Sequence, residues 1–139
     1  MKLCLIVCEN APKRQKTRFI LEDMGFICVE AEDGEFAFVA CQALMPDVIL
    51  LDSDVLWSGG SSFVKKIRSV KGGHQPQIIF CGSGTSAHLH EEILLVGANS
   101  VLSRAPEREA LESEFVGLGL LKGVLRGTGA ESAIGSSAY

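Results

Sequence analysis

The segment PDVILLDSDVLWSGG, residues 46–60, decides the fold. Its run DVILL, Asp47–Leu51, is apolar after the first residue, which is typical of a strand buried on both faces of a parallel sheet. The predicted strand delivers Asp52 to its carboxyl end. The residues Ser58–Gly60 are predicted to form a loop.

Apolar segments of the same kind alternate with helical ones on both sides of this stretch. The other predicted strands are Lys2–Cys8, Phe26–Ala31, Gln77–Cys81 and Ser100–Ser103. The predicted helices run from Pro12 to Gly25, from Gly34 to Leu44, through Phe63, Ile67 and Val70, from Ser86 to Val96, and onward from Pro106. This alternation predicts right-handed parallel crossovers, and therefore an α/β doubly wound five-stranded parallel sheet with five helices.

Composition and charge exclude several classes of protein. The 139 residues are 47% hydrophobic and carry a formal net charge of −4, from 13 basic and 17 acidic side chains. This acidic balance disfavours a large nucleic-acid surface, because a phosphate backbone requires clustered cations. The apolar runs fall short of the roughly 18 residues of a membrane span. Five cysteines without a C-x-x-C motif are typical of a reducing compartment. No signal peptide is predicted, so we expect a cytoplasmic protein.

The length predicts a single domain, because domains commonly contain about 150 residues. From about Arg126 the sequence RGTGAESAIGSSAY is rich in glycine, serine and alanine and poor in large apolar residues. A segment of this composition cannot bury enough surface to order itself. We therefore predict a domain over residues 1–125 and a flexible tail over residues 126–139.

In a doubly wound sheet, binding chemistry lies where the carboxyl ends of the strands meet the loops. Polar or reactive side chains follow four of the five predicted strands. They are Cys8 and Glu9 after the first strand, Asp52 and Asp54 after the third, Cys81 after the fourth and Arg104 after the fifth. We expect these side chains to lie at one edge of the sheet.

At this point the pattern resembles the response-regulator receiver family, in particular the CheY-like receivers of chemotaxis. The resemblance is carried by residues 46–60, by ILEDMGF and VEAEDG within Ile20–Gly34, and by VGANSVLSR, Val96–Arg104. It implies the strand order 2-1-3-4-5 and places Asp52 at the phosphoacceptor position. It also implies a role in two-component or phosphorelay signal transduction, with a histidine kinase or phosphotransfer protein as the partner.

The resemblance further implies a Mg²⁺ site and residues that sense the phosphoryl group. Mg²⁺ is expected at Glu9, Asp52 and the backbone carbonyl of Asp54. Cys8 stands where the family has a second acidic residue, and a thiol is a soft ligand that Mg²⁺ does not favour. At the phosphoryl-sensing positions, Cys81 replaces a hydroxyl residue and Arg104 replaces a lysine.

We expect a signalling protein rather than an enzyme, with no DNA-binding domain and with output by protein–protein contact. The expected target surface is the helix 4–strand 5–helix 5 face, whose acidic residues are Glu91, Glu92, Glu107, Glu109, Glu112 and Glu114. The basic run Lys13, Arg14, Lys16 and Arg18 lies at a helix start, where the helix dipole disfavours cations. It is either a solvated face or a docking surface for an acidic partner.

Two alternatives remain open from the sequence. The first is a degenerate pseudo-receiver that signals without phosphate, for example by holding a cyclic dinucleotide with Arg104, Arg108 and Arg126. The second is a small flavodoxin-like nucleotide or redox enzyme that uses the G-x-G-x-x-A pattern of Gly82–Ala87 and the cysteines. Cys8 and Cys81 are expected two strand spacings apart, roughly 9–10 Å, which is too far for a disulfide.

Overall fold

The structure is a computed structural model that describes residues 2–58, 60–82, 85–103 and 106–122, with only the backbone for residues 56–58 and 60. The predicted tail, residues 126–139, lies outside the described residues. Among the described residues, those up to Arg108 form one compact unit and those from Glu109 to Lys122 belong to a second. In the described part of the chain, no helix has the length and apolar composition needed to cross a bilayer.

Strands and helices alternate along the chain as predicted. The strands are β1 (Leu3–Val7), β2 (Ile27–Ala31), β3 (Val48–Asp52), β4 (Gln77–Cys81) and β5 (Ser100–Leu102). The helices are α1 (Ala11–Asp23), α2 (Gly34–Ala43), α3 (Gly60–Ser69), α4 (Ala87–Leu95) and α5 (Arg108–Gly117). A short 3₁₀ helix, Ser53–Ser58, follows β3 directly.

The sheet is parallel throughout the described residues, with the order β2-β1-β3-β4-β5. This confirms the predicted α/β doubly wound topology. The chain leaves β1 toward one edge of the sheet and returns to place β3 on the other side of β1. Loops therefore diverge between the carboxyl ends of β1 and β3, which opens a crevice at that point.

The core explains why the strand sequences are apolar without alternation. Leu5 and Ile49 pack in the cluster formed with α2, α3 and α4. Ile6 and Leu50 point to the opposite face and are also buried there. Because both faces of β1 and β3 are covered, the only polar side chain of β3, that of Asp52, comes at its end.

Two helix starts are set by side chains that accept backbone N–H bonds, since the first N–H groups of a helix have no partner within it. Asn10 accepts from the backbone N–H of Lys13 at 2.9 Å, and Asp33 accepts from that of Phe36 at 2.9 Å. At the other end of α1, Gly25 has φ +97°, a conformation that glycine adopts without strain.

The prediction of a loop at Ser58–Gly60 is wrong in part. Ser58 closes the 3₁₀ helix and Gly60 begins α3, so only Gly59, which lies outside the described residues, separates the two helices. The 3₁₀ helix begins where the backbone N–H of Asp54 donates to Asp52 Oδ1 at 3.0 Å. This bond turns the chain immediately after β3.

Arg68 ties together the loops at the amino ends of β4 and β5. Its guanidinium donates to the carbonyls of Gly73, Pro76 and Gly97, each at 2.9 Å, and to Asn99 Oδ1 at 2.7 Å. Burial lowers the pKa of Arg68, yet these oxygens satisfy its donors. A single side chain thus joins α3 to two loops.

Replacing Arg68 by methionine should lower the free energy of unfolding by about 2 kcal/mol, because the carbonyls that it bonds lose a charged donor. Urea denaturation measures this loss. Lys71→Met is the matched control, since Lys71 is an exposed cation just after α3. An equal loss in both variants would show that the hydrogen bonds of Arg68 do not stabilise these loops.

Candidate functional site

The centre of the site is Asp52, the last residue of β3. It pairs in register with Cys81 of β4 and is only 5% exposed. A carboxylate removed from water requires a positive charge or hydrogen-bond donors to balance it. The partners of Asp52 therefore define what the site can do.

The main partner of Asp52 is Lys13, from the first turn of α1. Lys13 Nζ lies 2.8 Å from Asp52 Oδ2, while Asp52 Oδ1 accepts from the backbone N–H of Asp54. Burial lowers the pKa of Lys13, but the hydrogen bond and the charge of Asp52 outweigh this effect and raise the pKa above its ordinary value. Lys13 therefore stays positively charged next to the carboxylate.

The sequence analysis missed this role of Lys13, because it treated the residue as part of a basic surface. A signal was present in its position. Lys13 lies three residues after the helix cap Asn10, in a helix that starts at the carboxyl end of β1. A long side chain at that place can reach across to the end of β3.

Asp54 connects β3 to the loop that follows β1. Its Oδ1 accepts from the backbone N–H of Glu9 at 3.0 Å, and its Oδ2 accepts from that of Asn10 at 3.3 Å. The thiol of Cys8 also donates to Asp54 Oδ2, at 3.5 Å. We expected the backbone carbonyl of Asp54 at the metal site and its carboxylate as a further negative charge nearby. The structure adds the bonds of this carboxylate to the loop after β1.

Cys8, Asp52 and Asp54 form a cluster, with one ligand-type atom of each within 4.8 Å of the others. Burial, and then the charges of Asp52 and Asp54, raise the pKa of the Cys8 thiol to about 12. The thiol is therefore neutral at physiological pH. Among the described residues, the side chain of Glu9 is not part of this cluster, and Glu9 is exposed.

These donors do not fit Mg²⁺. The ion requires near-octahedral oxygen coordination and binds poorly to a neutral thiol. Both oxygens of Asp54 accept N–H bonds from the β1–α1 loop. Asp52 Oδ2 is already paired with the Lys13 ammonium, which repels a second cation.

The two phosphoryl-sensing positions differ in what the structure describes. Cys81 is buried directly beside Asp52 in the sheet. Arg104 lies outside the described residues, so its placement at the site stays a prediction. A cavity of about 10 Å³ touches Asp52, Cys8 and Cys81, which is room for one water molecule.

Gly82 allows the chain after β4 to pass close to the end of β3. A Cβ atom built on Gly82 would lie 2.6 Å from the Cβ and Oγ of Ser53. This close approach accounts for the first glycine of the G-x-G-x-x-A pattern without a nucleotide. Ser83 and Gly84, which complete the glycine pair, lie outside the described residues.

Three cations of the basic run are engaged within the chain. Lys13 pairs with Asp52, and Arg14 pairs with Glu30 and donates to the carbonyl of Cys8. Arg18 pairs with Glu30 as well. This finding changes the interpretation of the run, because three of its four charges serve to hold α1 on β2 and β3.

One arginine considered for the alternative functions has another partner within the chain. Of the three arginines considered for a cyclic dinucleotide, Arg108 pairs with Asp23, and Arg104 and Arg126 lie outside the described residues. The five cysteines are buried, and none of them forms a disulfide.

Comparison with known proteins identifies relatives of this chain. The model of the response regulator receiver domain matches residues 4–115. The phosphate regulon transcriptional regulatory protein PhoB of Escherichia coli is 39% identical over 64 residues, which are 46% of this chain and 28% of PhoB. A protein-glutamate methylesterase/protein-glutamine glutaminase of Cereibacter sphaeroides is 32% identical over an alignment of 117 positions, which covers 79% of this chain and 30% of that protein. The chain thus spans about 30% of the length of these curated relatives.

A solved structure has the same fold over most of this chain. The chemotaxis protein CheY4 of Vibrio cholerae superposes with a TM-score of 0.78 at 27% identity. The match covers 87% of this chain and 99% of that protein. The two chains therefore share their fold from end to end of the smaller protein.

Replacing Asp54 by alanine should loosen the β1–α1 loop, because the N–H groups of Glu9 and Asn10 lose their carboxylate acceptor. We expect faster amide hydrogen exchange at these two residues and a loss of about 1 kcal/mol in the free energy of unfolding. Asp54→Asn keeps one acceptor oxygen and should have a smaller effect. Unchanged exchange in Asp54→Ala would show that the carboxylate does not hold the loop.

Glu30 should make the stability depend on pH. Burial raises its pKa, but hydrogen bonds from Arg18 and Arg14 outweigh this and lower the pKa below its ordinary value. Its contribution is therefore present above the unfolded-state pKa and is lost as the pH falls through the folded-state pKa.

Accordingly, Glu30→Gln should lower the free energy of unfolding at pH 7 by about 1 kcal/mol. Urea denaturation measures this change. The difference should shrink as the pH is lowered from 7 through the folded-state pKa, because the carboxyl of the wild type becomes protonated there. Glu32→Gln, at an exposed position, serves as the control. A difference for Glu30→Gln that does not change with pH would contradict the role of the ion pairs.

Proposed function

Since this chain belongs to the response regulator receiver domain family, we propose that it accepts a phosphoryl group at Asp52 from a histidine kinase or phosphotransfer protein. The receiver domain is a signalling domain of two-component systems, and it is generally not an enzyme. The observation that carries the proposal is the buried carboxylate of Asp52 at the carboxyl end of β3, beside the crevice between β1 and β3. That crevice is where a doubly wound sheet binds its ligands.

The proposed step uses groups that surround Asp52. One carboxylate oxygen attacks the phosphorus of a phosphohistidine, the new P–O bond forms, and the P–N bond breaks with its electron pair returning to the imidazole. Lys13 first releases Oδ2 and then balances the added negative charge. Cys81, and Arg104 outside the described residues, are proposed to sense the phosphoryl group.

Mg²⁺ belongs to this proposal only as the family's usual cofactor. The resemblance assigns it to Glu9, Asp52, the Asp54 carbonyl and, with doubt, Cys8. The donors present do not fit the ion, so no step of the proposed transfer depends on it.

The proposed output is contact with a target protein through α4 and β5. On α4, Leu94 and Leu95 are 43% and 86% exposed, next to the exposed acids Glu91 and Glu92. Exposed apolar side chains beside acidic ones are typical of a protein-binding surface. A contribution of α5 to this surface stays a prediction, as does the division into residues 1–125 and 126–139.

We further propose a role in chemotaxis or motility control and a place in the cytoplasm. The likeness to the chemotaxis protein CheY4 supports the first of these. PhoB and the methylesterase are longer proteins with other activities. Their activities are therefore not part of the proposal.

A second candidate is a pseudo-receiver that signals without phosphorylation. It is favoured by one observation, the ion pair that already neutralises Asp52. In that case the contact surface on α4 and β5 would act without a covalent signal.

Exposure to acetyl phosphate should distinguish the two candidates. A phosphoryl acceptor gains the mass of one phosphoryl group by intact-protein mass spectrometry, and Asp52→Asn gains none. The amide NMR signals of Asp52 and Cys81 should shift in the same sample. A wild-type chain that stays unmodified, with and without Mg²⁺ and with its cognate phosphodonor protein, would overturn the phosphoacceptor role and favour the pseudo-receiver.

A further inference from the structure

We infer that Lys13 is the resident cation of the Asp52 pocket and takes the place of a divalent metal ion there. The Asp52 carboxylate is then paired with a cation without Mg²⁺. This inference rests on the proposed function, because it concerns the same carboxylate, and it adds a positioning residue that the family resemblance did not assign.

The geometry of the ion pair supports this inference. Asp52 is almost fully enclosed, whereas the Lys13 side chain is 42% exposed and reaches its partner from the solvent side. The ammonium therefore lies across the open side of the carboxylate. A metal ion entering the crevice would meet that positive charge before it reached Asp52 Oδ2.

The position of Lys13 in α1 supports it independently. A cation in the first turn of a helix is disfavoured by the helix dipole, and α1 has no acidic residue in that turn. The cost is offset because the Lys13 side chain leaves the helix end and pairs with Asp52 instead. The ion pair with Asp52 is thus favoured over an ammonium left at the helix end.

The charge count of the cluster points the same way. Cys8 contributes a neutral thiol, and Asp54 spends both oxygens on backbone N–H groups of the β1–α1 loop. The Lys13 ammonium pairs with Asp52, and the charge of Asp54 is stabilised by its N–H donors. A site of this kind has no strong attraction for a divalent cation.

Lys13 also connects the pocket to the start of α1. Its backbone N–H donates to Asn10 Oδ1, and the backbone N–H of Asn10 donates to Asp54. Any group that displaces the ammonium from Asp52 therefore acts on a residue in the first turn of α1, whose cap is tied to the other acid of the pocket. We expect the amide signals of Asn10 and Lys13 to report such a displacement.

The test is a titration with MgCl₂ alone, followed by amide NMR shifts and by calorimetry. The wild type should show no saturable shifts at Asp52 and Asp54 at millimolar Mg²⁺. Lys13→Met should gain Mg²⁺ affinity by about tenfold or more, because the competing charge is gone. Lys16→Met, an exposed lysine of the same helix, should behave like the wild type.

Two outcomes would overturn the inference. In the first, the wild type binds Mg²⁺ as tightly as Lys13→Met. In the second, Lys13→Met gains no affinity, so that the other donors alone exclude the ion. If the variant does not fold, the wild-type ammonium signal decides: a slowly exchanging Lys13 Nζ signal supports the pair, and its absence contradicts it.

The outcome is separable from that of the proposed function. Mg²⁺ binding to the wild type with normal phosphorylation at Asp52 would reject the inference alone. A gain of Mg²⁺ affinity in Lys13→Met, with no phosphorylation of the wild type, would reject the phosphoacceptor role alone.

Discussion

The structure of the site depends on one constraint, the charge of a carboxylate that the sheet has removed from water. β3 is covered on both faces, and its last residue is therefore enclosed by the strands beside it. Burying an unpaired carboxylate is costly, so a cation has to come to it. Lys13 supplies that cation, and its place at the start of α1 fixes how this helix begins relative to the sheet.

Much of the fold could be predicted from the sequence because strands buried on both faces leave continuous apolar runs, and glycines and caps mark helix ends. The predicted boundaries of β1 and β4 match the structure to within one residue at each end. The position of Asp52 followed from the same reasoning. The prediction of a loop at Ser58–Gly60 was wrong in part because a 3₁₀ helix follows β3. That helix begins at the bond from the Asp54 backbone to Asp52, and side-chain bonds of this kind leave no periodic signal.

The site was harder to predict than the fold, since its contacts join residues far apart in the chain. The pairing of Lys13 with Asp52 requires knowing which way a side chain of α1 points once the helix lies on the sheet. The same holds for Asp54, whose side chain reaches back to the loop after β1. Family resemblance predicted a carbonyl there and a metal beside it. The sequence identified Cys8 as a poor ligand for Mg²⁺, but it did not show that the Lys13 ammonium pairs with Asp52.

Arg68 lies at the opposite end of the sheet, and its acceptors are all uncharged oxygens. A charge held by neutral oxygens on several sides has no single counter-ion that salt or a bound anion could displace. The loops before β4 and β5 are thus held by hydrogen bonds of Arg68 that do not depend on the charge of Asp52.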